Sequence, residues 1–260
     1  MAFADVSGAR IHLQEVGDGS HTVVLVHGLF ANMALWYFSL APALASDHRV
    51  VLYDLRGHGL SSRPESGYDL HTMCDDLATV IDATCDGPIS LVGFSFGAAI
   101  AARYACDYPG RVERLVLVEP PLPMTLEALE AWLSGPAAET DVINGLPAPQ
   151  RLILGRGRRK GRLVSGVLEL VSSTSLRADL QREPDVPDAD LMALSSDVLV
   201  CYGADSPIAQ SGTRERLQRL LPDARHTTLP GGHFLPTDSR DELTNVIVTF
   251  LKTHPEAEPR

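Results

Sequence analysis

The chain has 260 residues, 45% of them hydrophobic, and a formal net charge of −11. That length and apolar content suffice for one substantial core and exclude a disordered or fibrous chain. The acidic balance, read first as a solubility feature, argues against nucleic acid and anionic membrane as main partners.

In chain order, "ARIHLQEVG" alternates and suits an antiparallel edge strand. "TVVLVHG" (Thr22 to Gly28) is β-branched, continuously apolar and ended by glycine, the pattern of a strand buried on both faces. "RVVLYDLRGHG" from Arg49, "PISLVGFS", "RVERLVLVEPP" and "DVLVCYGAD" repeat it, and "ARHTTLPGGH" repeats it weakly. Helical spacing lies between: Leu70, Met73, Leu77, Val80 and Ile81 in one segment, then "FGAAIAARYACDYP", "TRERLQRLL" and "RDELTNVIVTFLKTH". Buried strands alternating with helices predict an α/β fold, its mostly parallel central sheet covered by helices on both faces.

From about Pro120 to Ser196 no strand pattern appears. Helix-like pieces (Met124 to Leu133, Gly161 to Glu183) are broken by prolines, and a structureless loop of that length is improbable in a compact domain. The expected organisation is a core of residues 1–120 and 197–260, with a helical cap or lid at 121–196. The insertion holds "RGRRKGR" (Arg156 to Arg162), five of the 22 basic residues. It reads first as a solvated loop; the sharper reading is an anionic docking patch for a phosphopantetheine or coenzyme A phosphate.

Cys74, Cys85, Cys106 and Cys201 form no CxxC pair and no metal-like spacing with histidine, so a reducing compartment and no metal are expected. The first residues carry no apolar signal core, and no window reaches the roughly 18 apolar residues of a membrane span. A cytoplasmic location is the expectation.

Gly93-Phe94-Ser95-Phe96-Gly97 matches G-x-S-x-G at a junction of strand and helix. There a sharp turn lifts the serine hydroxyl to the C-terminal edge of the sheet, where α/β folds bind ligands. On the motif alone Ser95 fits a helix N-cap as well as a nucleophile. A serine nucleophile needs a base, and His233 in "LPGGHFLP" follows the last strand at that same edge. An acid should orient the imidazole: Asp205, past the end of "VLVCYG", is preferred, and Glu119 in "VLVEPP" is the rival.

With "HGLF" (His27 to Phe30), "DLRGHGLSS" (Asp54 to Ser62), the elbow and "VLVEPP" in this order, nearly the whole chain resembles the α/β-hydrolase fold superfamily, in its serine-nucleophile branch with a helical cap. The resemblance implies Ser95 as nucleophile, His233 as general base and then acid, Asp205 as orienting acid, and an oxyanion hole from the backbone N–H groups of Leu29 and Phe96. It implies no cofactor. His27 is expected to shape the oxyanion loop, and Asp54 with Arg56 and His58 to lock a turn. Phe30, Phe94, Trp36, Trp132, Phe234 and Leu235 are pocket candidates that favour an apolar substrate. The expected activity is hydrolysis of an ester, thioester or lactone of a small molecule, with a carrier-bound or coenzyme A thioester as a variant. C–C bond hydrolysis, lyase, perhydrolase or cyclase chemistry on the same residues is the alternative, and a non-enzymatic receptor the third reading.

Overall fold

Residues 2–123, 166–167, 169–182 and 186–252 are described in a computed structural model of the chain. Eight strands form one sheet: β1 (Ala2–Val6), β2 (Ala9–Val16), β3 (Thr22–Val26), β4 (Arg49–Tyr53), β5 (Ile89–Phe94), β6 (Val112–Val118), β7 (Asp197–Gly203) and β8 (Arg225–Leu229). Their spatial order is β1-β2-β4-β3-β5-β6-β7-β8. From β4 to β8 all pairings are parallel; β2 is antiparallel to both β1 and β4.

Side chains of a strand alternate between the two faces of a sheet, and the central strands are apolar on both. Val24, Val26, Leu91, Leu115 and Leu117 join one core cluster with the helices Leu70–Thr84 and Phe96–Asp107. Val23, Leu25, Val92, Val116 and Leu199 join a second with Trp36, Leu44 and the helix Arg240–Lys252. Each such side chain, fully buried, contributes about 2 kcal/mol, so the sheet cannot slip by one residue without exchanging its faces.

Chain order reverses between β3 and β5: β4 lies on one side of β3, and the later strands lie on the other. Open α/β sheets bind ligands beyond the strand C-termini at such a switch point. The loop that starts at His27 and the elbow at Ser95 leave the sheet there.

The expectation for the N-terminus needs correction. "ARIHLQEV" is antiparallel but stands second, because Ala2–Val6 pairs along its outer side and becomes the edge. That strand is mostly exposed and shows no buried-strand pattern. Of the predicted insertion, residues 124–165 lie outside the described residues, and with them the helix Met124 to Leu133, the candidate Trp132 and the basic run Arg156 to Arg162. The described residues of 121–196 contribute no strand but do form the short helices Leu176–Leu180 and Asp188–Met192. They pack Leu170, Leu176, Leu180 and Leu191 into the first core cluster. They are also fastened to the loop after β4: Tyr68 N–H donates to Asp179 Oδ2 (3.0 Å), and Ser175 N–H to Glu65 O (2.8 Å).

Candidate active site

Ser95 sits at φ 54°, ψ −125°, a conformation that L residues rarely adopt. The turn is held from both sides. Ser95 N–H donates to Val118 O (2.8 Å), and its carbonyl accepts from Ala98 N–H (2.8 Å). A Cβ on Gly93 would collide with the backbone of Gly97 and Ala98, and one on Gly97 with the backbone of His27 and Val26. The two glycines therefore let the elbow helix lie directly against β3 and β5. Ser95 Oγ caps none of the helix N–H groups, so the hydroxyl is not committed as an N-cap.

It faces a histidine instead. Ser95 Oγ lies 3.0 Å from His233 Nε2, and His233 Nδ1 lies 3.0 Å from Glu119 Oε2. A carboxylate can only accept, so Nδ1 carries the proton and Nε2 is left to accept from the serine. Glu119 follows β6 at φ 54° and is completely buried. Its backbone N–H donates to Cys201 O (2.8 Å), its Oε1 accepts from Gly203 N–H (2.5 Å), and its Oε2 also accepts from the Ser206 hydroxyl.

The carboxylate that meets His233 is that of Glu119, the rival, and not that of Asp205, the one preferred from sequence. Asp205 is exposed and bonds through the main chain, from its N–H to Gly231 O (2.9 Å). The physical reason lies in the β7 exit. Ser206 is the N-cap of the short helix Pro207–Gln210, accepting from Ile208 and Ala209 N–H. The capping serine is directed inward and the preceding aspartate outward. The Ser-Pro pair is a sequence signal for that cap, and it could have favoured Glu119. Gly203 also matters for space: a Cβ there would collide with the carbonyls of Gly231 and Gly232, so glycine lets the histidine loop lie against the end of β7.

The His233 ring is braced by aromatics. Phe94 lies 5.2 Å from it, centroid to centroid, and Phe234 packs edge-on at 5.1 Å. Both are buried, as are Trp36 and Leu235. Trp36 donates from its indole N–H to Val26 O (3.1 Å) and belongs to the core, not to an open pocket. Of the described pocket candidates, only Phe30 is half-buried and the others are buried. It has a positive φ of 61° beside Leu29.

The loop carrying Leu29 is fixed from beneath. His27 donates from Nδ1–H to Gly28 O (2.7 Å) and accepts at Nε2 from Leu55 N–H (3.0 Å). Burial holds its pKa below the ordinary value, which suits that neutral tautomer. Asp54 accepts from Met33 N–H, Leu60 N–H and His12 Nδ1 at 2.8–2.9 Å, joining three segments. His58 donates from Nδ1–H to Arg56 O (2.8 Å). Burial, and secondarily neighbouring His27, lower its pKa to about 3. These residues lock turns, in line with their reading from sequence.

A sequence model of the alpha/beta hydrolase fold matches residues 21–182. The chain belongs to the alpha/beta hydrolase fold family. A 2-(acetamidomethylene)succinate hydrolase of Mesorhizobium japonicum is 26% identical over 259 residues, covering 94% of this chain and 92% of its own. A 2-hydroxy-6-oxo-2,4-heptadienoate hydrolase of Pseudomonas putida is 28% identical over 259 residues, covering 94% and 93%. Among solved structures, the enol-lactonase from Burkholderia xenovorans superposes with a TM-score of 0.77 at 20% identity, covering 97% of this chain and 100% of the other. Among the described residues, no group of three or more His, Cys, Asp or Glu is arranged to hold a metal, and no helix is long and apolar enough to cross a membrane.

Proposed function

We propose that this chain is a cofactor-independent serine hydrolase that cleaves an ester, thioester or lactone of a largely apolar small molecule. The observation that carries the reading is the unbroken chain Ser95 Oγ to His233 Nε2 (3.0 Å) and His233 Nδ1 to Glu119 Oε2 (3.0 Å), built on a strained elbow. Ser95 Oγ attacks the substrate carbonyl while His233 Nε2 takes its proton. The imidazolium formed is stabilised by Glu119. Collapse of the tetrahedral intermediate expels the leaving group, which takes that proton, and leaves an acyl-Ser95. Water then attacks through the same base, releasing the acid and restoring Ser95.

Backbone donors are needed for the oxyanion. Phe96 opens the elbow helix, where the first N–H groups have no partner within the helix. Leu29 lies on the neighbouring loop braced by His27. Each such donor is worth about 3 kcal/mol of transition-state stabilisation. On this reading the protein works in the cytoplasm.

The test is labelling with a fluorescent fluorophosphonate, which reports an activated serine without knowledge of the substrate. Wild type is expected to label and Ser95→Ala not to. An unlabelled folded wild type, or equal labelling of Ser95→Ala, rejects the reading. A second reading keeps these residues but breaks a C–C bond. It is favoured by the Pseudomonas putida relative, whose named hydroxy-oxo-dienoate substrate contains no ester. Turnover of vinylogous diketones, with esters of matched size inert, would select it.

A further inference from the structure

The geometry points to Ser206 as a positioning residue of the catalytic machinery, a fourth member that aims Glu119. This inference rests on the serine-hydrolase reading. Ser206 is completely buried. Its Oγ accepts from Ile208 N–H (3.2 Å) and Ala209 N–H (3.4 Å), which engages the oxygen from the side of the helix. A hydroxyl has one proton to donate, and that proton goes to Glu119 Oε2, the same oxygen that receives His233 Nδ1–H. Gly203 N–H holds the other oxygen at 2.5 Å.

The carboxylate therefore has two fixed donors, both from the exit of β7, before the histidine arrives. Together they fix its rotation and place Oε2 against Nδ1. The proton order Ser206 to Glu119, His233 to Glu119 and Ser95 to His233 is then the one that presents a basic Nε2 to the nucleophile. The donor at Ser206 also tunes that base. A hydrogen bond to the charged carboxylate spreads its charge; without it the carboxylate attracts the imidazolium more strongly, and the pair holds its proton to higher pH.

The side chain has two jobs, capping and donating, and they are separable. Glycine at an N-cap costs only a few tenths of a kcal/mol relative to serine, so Ser206→Gly removes the donor and largely spares the helix. The measurement is the rate of fluorophosphonate labelling as a function of pH, for wild type, Ser206→Gly, Ser206→Ala and Ser206→Thr, with the melting temperature of each. In Ser206→Gly and Ser206→Ala the acidic midpoint is expected to rise by about one pH unit, from the loss of a hydrogen bond to a charged group. At pH values below both midpoints the rate should fall about tenfold with it. Ser206→Thr, which keeps the hydroxyl, is expected to keep the wild-type midpoint.

A purely structural serine would lower melting temperature or rate without moving the midpoint, and an unmoved midpoint in folded Ser206→Gly overturns the proposal. So does failure of both the glycine and alanine variants to fold, since the serine would then be structural first. If Ser95→Ala labels like wild type, the hydrolase reading itself falls and takes this proposal with it. If labelling depends on Ser95 and only the midpoint is unmoved, the hydrolase reading stands alone.

Discussion

A buried carboxylate must recover in hydrogen bonds what it loses in hydration, and Glu119 does so from His233, Gly203 and Ser206. Asp205, one residue from Ser206, keeps its carboxylate in water and contributes a main-chain bond to the histidine loop. Replacing Glu119 by Gln removes the charge that stabilises an imidazolium and leaves at least one fixed donor without an acceptor. Labelling rate and ester turnover are expected to fall by about 10³–10⁴, the scale of losing the orienting acid in a serine triad. Asp205→Asn keeps the backbone N–H and alters only an exposed group, so it should stay within about twofold of wild type. The reverse ranking would return the acid to Asp205. Ser95 and His233 are both readable from the sequence, since each follows a strand at one edge of the sheet. The carboxylate that meets His233 is not readable in the same way, because Glu119 and Asp205 end adjacent parallel strands and periodicity treats them alike. What separates them is the direction in which each side chain leaves its strand, which a Ser-Pro cap sets three-dimensionally.

At the scale of elements, long apolar strands and the helices Leu70–Thr84 and Phe96–Asp107 are legible because burial on both faces or along one stripe imposes a period. Ala2–Val6 and the four-residue helix Ala34–Tyr37 are not, since the strand is mostly exposed and the helix is too short to show a period. The turn from Leu55 to Ser62 is intermediate: its motif reads as a lock, but its electrostatic character comes from packing. His58 Nε2 is buried without a hydrogen-bond partner among the described residues, and its ring lies 5.6 Å from that of His27. Its pKa, about 3 in the fold against an ordinary 6.5, carries a sign. Above 6.5 both folded and unfolded chains leave it neutral. Below 6.5 the unfolded chain takes up a proton that the folded one refuses, so stability falls as pH drops from 6.5 toward about 3. His58→Asn keeps a donor for Arg56 O and removes the titration. Melting temperatures between about pH 4 and pH 7 should therefore decline less steeply for the variant than for wild type; parallel curves would show that His58 is not a source of the acid sensitivity.

Across the whole molecule, the site is assembled from loops that leave β3, β5, β6, β7 and β8 at one edge, so its precision depends on how firmly those loops are tied to the layers beneath. The loop after β4 is tied by a buried ion pair. Arg56 Nε and Nη2 donate to Asp76 Oδ2 (2.6 Å) and Oδ1 (2.5 Å), joining that loop to the helix Leu70–Thr84. Both side chains are nearly inaccessible, at 2% and 4% exposure. Burial pushes the Asp76 carboxyl above its ordinary pKa even with the guanidinium pulling it down, so the pair sits where desolvation and attraction nearly balance. Such a pair contributes little beyond an apolar replacement, yet breaking it from one side is costly. Arg56→Met is expected to destabilise by about 3–5 kcal/mol, a drop of about 10 °C in melting temperature for a chain of this size. Arg56→Met with Asp76→Leu should return to within about 1 kcal/mol of wild type. The single variant has a further signature: without the arginine, Asp76 escapes its penalty by taking a proton. The loss caused by Arg56→Met should then shrink as pH falls toward the carboxyl range, while the double variant shows no such recovery. Thermal melts of the four proteins at two pH values decide it. A double variant as unstable as the single would mean that the guanidinium holds the loop by contacts other than Asp76, such as the one it makes at 3.4 Å to Ser7 O.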